Sequence, residues 1–212
     1  MASTGILSNE EKDNKQNIAF VILAAGESKR MGSIKQLLQW HDKNLINHII
    51  DKSIDSDASD TFIVLGANSE IILNTYKDKP VQSIYNNNWK KGLGSSISAA
   101  AEHIVKLQKA YSGILTSLVD QPLISTLHFN NLISKFTSEE TGIVATSYKG
   151  SPGVPAIFST TYFNDLIQLG SSSGAKSIIH AHTNDTGLIP FDDNYIDLDT
   201  PEDFVNFLNQ QA

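Results

Sequence analysis

Hydrophobic positions fall into short continuous runs separated by amphipathic stretches along most of the chain. The run Ile18–Leu23 has no polar residue, which is typical of a strand buried on both faces of a parallel sheet. Comparable runs predict further strands, at residues 61–65, 81–85, 113–119 and 142–145. Helical spacing predicts helices between them, from about residue 34, at 45–54, after 69, at 97–107 and at 124–136. This alternation predicts an α/β fold with parallel βαβ crossovers.

Length and composition limit the number of domains and the classes of binding partner. The 212 residues suffice for one α/β domain. Residues 1–16 are polar and have no apolar core for a secretory signal, so we expect a disordered leader at 1–16 and a single domain at 17–212. A formal net charge of −7 argues against general binding to nucleic acid or anionic membranes. The absence of cysteine excludes disulfides and thiolate zinc sites and favours the cytoplasm.

A loop of small and basic residues follows the first predicted strand. Small side chains let a ligand approach the main chain, and cations beside a strand–turn–helix segment are a common way to hold phosphate. We therefore expect a nucleotide-phosphate site that includes Leu23, Ala24, Ala25, Gly26, Ser28, Arg30 and Lys35. A Walker motif is excluded because the glycine that follows Gly26 is Gly32, with Ser33 after it. A dinucleotide fingerprint is excluded by the glycine spacing and by the lack of an acidic residue after the second strand.

Two further loops should lie at the same edge, because ligands of parallel sheets bind at the carboxyl ends of the strands. Gly66 ends the second predicted strand. Gly94, Ser95 and Ser96 stand at a predicted helix start, where N–H groups and hydroxyls can face a ligand. Ordinary N-capping by Ser95 or Ser96 would explain this stretch equally well from the residues alone.

Asp120 ends a buried central strand, a position where a carboxylate is costly unless it is paired or bound to a cation. Mg²⁺ is the expected partner, because it prefers one or two carboxylates together with phosphate oxygens and water. An Asx turn before Pro122 is the structural alternative. Near the C-terminus, Thr200 predicts a helix cap, but capping does not explain Asp197 and Asp199.

Two other features carry less weight. Pro155 predicts a sheet edge or the start of a strand. His180 and His182 are two residues apart near a helix end, a spacing that places them on different faces and does not favour a metal pair.

The segments together resemble the molybdenum cofactor nucleotidyltransferases, in their cytidylyltransferase branch. The resemblance rests on Leu-Ala-Ala-Gly-x-Ser-x-Arg-Met-Gly-x-x-Lys, on Asn-x-x-Trp-x-x-Gly before the paired serines, and on Leu-x-Asp-Gln-Pro-Leu, in the expected order. It implies a Rossmann-like three-layer α/β/α fold with a mostly parallel sheet. Residues 170–176 depart from the family pattern by lacking its acid and its arginine, which leaves that loop without an assigned role.

The resemblance also implies a reaction and residue roles. CTP and molybdopterin cofactor would give the cytosine dinucleotide cofactor and pyrophosphate, with an apo-molybdoenzyme or its chaperone as the recipient. Arg30, Lys35 and Asp120 would be catalytic. Asp199 would be the second Mg²⁺ ligand, where related guanylyltransferases carry Asn, and Gly94 and Ser96 would contact the base or sugar. Ala25 favours cytidine, because Leu-Ala-Gly-Gly marks the GTP-using branch.

Two alternatives remain open from the sequence. The first is the same transfer, from CTP or GTP, to another phosphorylated acceptor such as a sugar or polyol phosphate. The second is an oxidoreductase or non-catalytic accessory protein built on this scaffold.

Overall fold

The computed structural model describes residues 17–170, 174–191 and 196–211. The strands are β1 Ile18–Leu23, β2 Gln39–Trp40, β3 Lys43–Asn44, β4 Asp60–Leu65, β5 Gln82–Tyr85, β6 Gly113–Leu118, β7 Ile143–Tyr148, β8 Ser151–Ser159 and β9 Thr186–Pro190. The helices are α1 Leu45–Ile54, α2 Ser69–Leu73, α3 Leu93–Ile104, α4 Thr126–Ser138, α5 Phe163–Ile167, α6 Lys176–Ala181 and α7 Pro201–Gln210.

The strands form a seven-stranded sheet and a small hairpin. The order in the sheet is β5-β4-β1-β6-β8-β7-β9, and the hairpin pairs β2 with β3. β8 runs antiparallel to both β6 and β7, and the other pairs of the large sheet are parallel. The carboxyl ends of β1, β4 and β6 therefore lie side by side, which is where a parallel sheet presents ligand-binding loops.

Helices cover both faces of the sheet, and the first strand shows why. Alternate residues of β1 point to opposite faces, and all six are buried. Ile18, Phe20 and Ile22 pack in a core with α1, α4 and α7. The residues between them pack in a second core with α3, α5 and α6. The fold is thus a Rossmann-like three-layer α/β/α sandwich, as the sequence resemblance implied.

Most predicted strands are confirmed, but the short helical piece predicted from about residue 34 is only a single 3-10 turn, Lys35–Leu37. The first glycine-rich loop leads into two 3-10 turns, Lys29–Met31 and Lys35–Leu37, and then into the β2–β3 hairpin. Trp40 anchors the hairpin. The centre of its ring lies 4.6 Å from that of His48 on α1 and 5.0 Å from that of Phe207, which is distant in sequence. Consequently no helix dipole follows this loop, and its anion-binding capacity must come from backbone N–H groups and side chains.

The sheet-edge prediction for Pro155 is also wrong, because β8 is an interior strand. Pro155 stands just before the segment of β8 that pairs with β6, which begins at Ala156. On the other side, the pairing with β7 changes register between Ala145 and Thr146. The proline is therefore tolerated at a point where the ladder is already interrupted.

Some predictions concern parts of the chain that the structure does not describe. The leader at 1–16 and residues 171–173 of the departing loop lie outside the described residues. The division into a leader and one nucleotidyltransferase domain at 17–212 stays a prediction. Among the residues that are described, none of the helices has the length and apolarity needed to cross a membrane.

Candidate active site

The loop after β1 is held in place by its own backbone and by one buried glutamine. The N–H of Ala24 donates to Val64 O at 3.0 Å, so β1 and β4 stay paired up to the loop. Gln36, which is 4% exposed, donates from Nε2 to Ala24 O at 2.8 Å and to Gly26 O at 3.1 Å. Because the carbonyls are turned toward Gln36, we infer that the loop can present N–H groups to a ligand.

Ser28 and the start of the second turn complete this arrangement. Ser28 adopts a left-handed conformation, with φ 59° and ψ 37°, which the general population of non-glycine residues avoids. Its hydroxyl donates to Gln36 Oε1 at 3.4 Å and accepts from the N–H of Lys35 at 3.3 Å. Within the described part of the chain, no acceptor is paired with the N–H groups of residues 25–28. These donors are available for phosphate oxygens.

Four charged side chains from distant parts of the chain meet beside this loop. Lys35 Nζ lies 2.9 Å from Asp120 Oδ2 and 2.9 Å from Asp199 Oδ1. Arg30 donates to the other oxygen of Asp199 at 2.8 Å. Exposure differs along the cluster: the side chain of Lys35 is 12% exposed and that of Arg30 is 71% exposed. The cluster therefore has a sheltered lysine between two carboxylates and an arginine open to solvent.

The pKa values in this cluster follow from its charges. Burial disfavours the ammonium of Lys35, but Asp120 and Asp199 outweigh it and raise its pKa. Burial would raise the pKa of the Asp199 carboxyl, but the bonds from Lys35 and Arg30 outweigh it and lower that pKa. Both shifts favour the charged forms, so the ion pairs persist at neutral pH.

Asp199 reaches the cluster because the chain before α7 returns to the sheet edge. The N–H of Leu198 donates to Asp120 O at 3.1 Å, which joins the two acid-bearing segments directly. Thr200 and Asp203 form a capping box at the start of α7, confirming the predicted cap. Asp203 Oδ2 also accepts from the N–H of Asp199 at 3.2 Å. The helix cap thus fixes the position of Asp199.

Most of the predicted site residues line one cleft of about 300 Å³. It is bounded by the first loop, the start of α3 and the two acids, and its lining includes Leu23, Ala25, Gly26, Ser28, Arg30, Lys35, Ser96, Asp120 and Asp199. Ala24 instead packs into the core on the α1 face. Gly66 lies behind the cleft wall, where an added Cβ would be 2.6 Å from Trp89 Cβ.

The prediction for the second loop is refined by the position of α3. The helix begins at Leu93, four residues earlier than the sequence pattern indicated. Gly94 is therefore buried in the first turn of the helix, and Gly92 precedes the helix with φ 103°. Asn86 Nδ2 donates to Ser95 Oγ at 2.9 Å and to Ser96 Oγ at 3.0 Å. Ser96 lines the cleft, whereas Ser95 lies along a neighbouring depression.

Sequence reasoning missed Lys52, which supports the loop that follows Asp120. Lys52 on α1 donates from Nζ to Pro122 O at 2.6 Å and to Ile124 O at 2.9 Å. Its ammonium also stands 5.7 Å from the centre of the Trp40 ring. Burial lowers the pKa of Lys52 to about 8. Its helical position alone gave no signal, because a lysine on an amphipathic helix is usually exposed.

This buried lysine predicts a pH dependence of stability. Below about pH 8, Lys52 is charged in both the folded and the unfolded chain, so folding bears the full free-energy cost of burying the ammonium. Between pH 8 and the ordinary lysine value of 10.5, the folded chain releases the proton first, which relieves that cost. We expect the unfolding free energy of the wild type, minus that of Lys52→Met, to rise across this window. Urea unfolding of both proteins at several pH values measures it, and a flat or falling difference would contradict the prediction.

A second, larger cavity of about 810 Å³ adjoins the first and shares Leu23, Leu93 and Leu118 with it. Its walls are mainly apolar and include Phe191 and Tyr148, and its rim carries Lys149 and Lys176. Gln121 lines it, is 4% exposed, and has a buried Oε1 with no hydrogen-bond partner among the described residues. The two cavities together can hold two ligands that meet near Asp120.

The Rossmann-like sheet carries cations and carboxylates at its carboxyl edge, which is where α/β proteins bind their ligands, nucleotides among them. The chain belongs to the MobA-like NTP transferase domain family, which it matches over residues 20–186. It is therefore a nucleotidyltransferase by family.

Proteins that are similar to this chain carry different descriptions. Nicotine blue oxidoreductase of Paenarthrobacter nicotinovorans is 31% identical over 63% of this chain and 64% of its own length. Purine catabolism protein PucB of Bacillus subtilis is 27% identical, and the molybdenum cofactor cytidylyltransferase of Escherichia coli is 23% identical. Each of these two matches covers 87% of this chain and 92% of the relative.

Solved structures confirm the fold. A Mycobacterium sp. strain JC1 homologue of a Mycobacterium tuberculosis protein has a TM-score of 0.80 at 25% identity, covering 91% of this chain and 96% of its own. The Mycobacterium tuberculosis protein, in a structure described as a manganese complex, has a TM-score of 0.77 at 22% identity and covers 92% of this chain and 99% of its own.

Proposed function

We propose that the chain is a cytidylyltransferase that moves CMP from CTP to molybdopterin cofactor with release of pyrophosphate. The observation that carries the proposal is the cluster of Lys35, Arg30, Asp120 and Asp199 at the edge of the phosphate-binding loop. The match to a molybdenum cofactor cytidylyltransferase over most of both chains supports the acceptor. Ala25 supports CTP, because the GTP-using branch is marked by glycine at the corresponding position.

In the proposed reaction, an oxygen of the acceptor phosphate attacks the α-phosphorus of CTP, and the bond from that phosphorus to the pyrophosphate oxygen breaks. A phosphomonoester is already largely anionic at neutral pH, so no strong general base is needed. The protein must instead align two anions and stabilise charge on the leaving group. Arg30 is placed at the open side of the cleft, where its planar fork can hold the β- and γ-phosphates. Lys35 serves the α-phosphate, and the N–H groups of residues 25–28 hold the triphosphate.

The residues fit a divalent metal ion. Asp120 Oδ1 is buried without a hydrogen-bond partner in the described part of the chain. Asp199 lies close to Asp120, because Lys35 Nζ contacts both acids. Carboxylate oxygens are ligands that Mg²⁺ prefers. Asp120 and Asp199 would hold the ion, which when bound would neutralise charge on the phosphate oxygens.

The larger cavity supports an acceptor with a bulky ring system. Its volume of about 810 Å³ is in the range of pockets that enclose cofactor-sized molecules. Aromatic and aliphatic walls suit a flat heterocycle, and the unpaired Oε1 of Gln121 suits a ring N–H donor. A sugar or polyol phosphate would leave most of this apolar surface without a contact.

A second candidate function is favoured by one comparison. A relative that is 31% identical is described as an oxidoreductase, so the scaffold supports other chemistry. The ion pairs among Lys35, Asp120 and Asp199 support nucleotidyl transfer instead, because two acids that can hold a cation beside a phosphate-binding loop suit a phosphate substrate.

The first test is pyrophosphate release from each of the four NTPs with Mg²⁺, with and without molybdopterin cofactor. We expect release from CTP only, and only when the acceptor is present. Preference for GTP would assign the chain to the guanylyl branch, and CTP binding without turnover would point to another phosphorylated acceptor. Failure to bind any NTP would refute the proposal and leave the oxidoreductase candidate.

A further inference from the structure

We propose that the ammonium of Lys35 occupies the metal position between Asp120 and Asp199 until a nucleotide draws it away, so that nucleotide and metal bind cooperatively. This inference rests on the proposed function, since it concerns the same two carboxylates. It assigns Lys35 two successive partners: the acids in the nucleotide-free site, and a phosphate oxygen in the loaded site.

The contacts of Lys35 support this double role. Its Nζ makes two equal contacts of 2.9 Å, one with an oxygen of each acid. A divalent ion held by both Asp120 and Asp199 has to lie close to both carboxylates, and the ammonium of Lys35 occupies the space between them. The lysine and the ion therefore compete for one place.

The surroundings also favour the lysine while no other cation is present. Its side chain is 12% exposed, against 21% for Asp120 and 35% for Asp199, so solvent screens the ion pairs only in part. Without the lysine, two carboxylates would face each other with only Arg30 as a counter-charge, and Arg30 contacts Asp199 alone. Two carboxylates that share a site repel each other, which disfavours the charged form of both.

A triphosphate changes the balance. Among the described residues, the N–H groups of the loop that begins at Ala25 have no acceptor. A nucleotide held there would bring phosphate oxygens into the cleft that Lys35 also lines. The flexible stem of lysine allows the ammonium to move from the acids to the phosphate without moving the backbone. The acids are then free to bind the metal ion. The nucleotide removes the ammonium that competes with the metal ion, and the metal ion replaces the positive charge that the acids lose. Each ligand therefore raises the affinity of the site for the other, which is cooperative binding.

Direct binding of Mn²⁺ to the nucleotide-free chain, measured by electron paramagnetic resonance or calorimetry, tests the competition. We expect Lys35→Met to bind Mn²⁺ on the order of tenfold more tightly than the wild type, which is within the usual range for coupled ligands. Lys35→Gln should behave in the same way, and a thermal melt of each variant establishes that it is folded. If only the overall charge of the site mattered, removal of any nearby lysine would tighten Mn²⁺ binding to a similar extent.

Lys29→Met is the matched control for charge. Lys29 belongs to the same loop, its side chain is 81% exposed, and it pairs with Glu27 rather than with either acid. We expect its effect on Mn²⁺ binding to stay within about twofold, because exposed charges are largely screened. An equal tightening by Lys29→Met and Lys35→Met would overturn the inference.

Asp120→Asn separates failure of this inference from failure of the metal site. If Asp120→Asn loses Mn²⁺ binding while Lys35→Met leaves it unchanged or weaker, the metal site stands and the role of Lys35 is refuted. If Asp120→Asn binds Mn²⁺ like the wild type, both the inference and the metal assignment are refuted.

The cooperativity has its own measurement, made with CTP and without acceptor so that no transfer occurs. CTP should tighten Mn²⁺ binding by a larger factor in the wild type than in Lys35→Met, because only the wild type has an ammonium to displace. Equal factors would overturn the cooperative part of the inference.

Discussion

Asp120→Asn is expected to lower the rate of nucleotidyl transfer by at least about a thousandfold while leaving the fold intact. The substitution keeps the shape of the side chain but removes the negative charge that faces Lys35. It also leaves only one of the two carboxylate oxygens, of which Oδ1 is buried with no partner among the described residues. In the proposed reaction this carboxylate holds the metal ion. Pyrophosphate release from CTP, measured at saturating Mg²⁺ and acceptor, gives the rate, and circular dichroism shows whether the fold is kept.

Asp185→Asn is the matched control, because Asp185 is a partly buried acid at the opposite end of the sheet. It accepts from the N–H of Gly142 at 2.8 Å and from the hydroxyl of Tyr162 at 2.6 Å. Its loss should reduce stability with little effect on transfer. If both variants kept the wild-type rate, the assignment of Asp120 would be wrong.

Sequence patterns predicted β1, β4 and β6 because strands buried on both faces are nearly continuous apolar runs. They did not predict β9, whose residues are exposed or half-buried. β1 is apolar at every position, and β6 ends at Leu118, shortly before Asp120. The hairpin at β2 and β3 has no such pattern. Its two strands have two residues each, and the contact of Trp40 with Phe207 that supports it spans most of the chain. The spacing of hydrophobic residues along a short segment cannot indicate a contact between residues so far apart in the sequence.

The same distinction applies to the site. The loop residues and Asp120 were predictable because small residues, cations and a strand-terminal acid are unusual choices with few structural explanations. Gln36 and Lys52 were not, since each stabilises a loop by donating to backbone carbonyls. Any donor of suitable length could do so, and only the folded arrangement shows which one does. The larger cavity combines residues from six or more segments. Leu23 and Gln121 belong to motifs that the sequence shows, but those motifs do not indicate that the segments enclose a cavity.

Gly66→Ala is expected to weaken both the fold and nucleotide binding. A Cβ at this position would lie 2.6 Å from Trp89 Cβ and 2.7 Å from Ala25 O, and neither is the free end of a flexible side chain. The backbone must therefore move, at a typical cost of about 1–3 kcal/mol for overpacking. For a chain of this length that corresponds to a fall in melting temperature of roughly 3–10 °C.

The expected loss of nucleotide binding follows from the displacement of Ala25. Ala25 O accepts from the N–H of Ala67 at 3.0 Å, so a displaced Ala25 also disturbs the loop whose N–H groups are proposed to hold the triphosphate. We expect CTP affinity, measured by calorimetry, to fall about tenfold or more, since that corresponds to only about 1.4 kcal/mol. Gly26→Ala is the control for stability, because no described atom lies within 4 Å of a Cβ added there. A Gly66→Ala variant with unchanged melting temperature and CTP affinity would show that Gly66 does not shape this wall of the cleft.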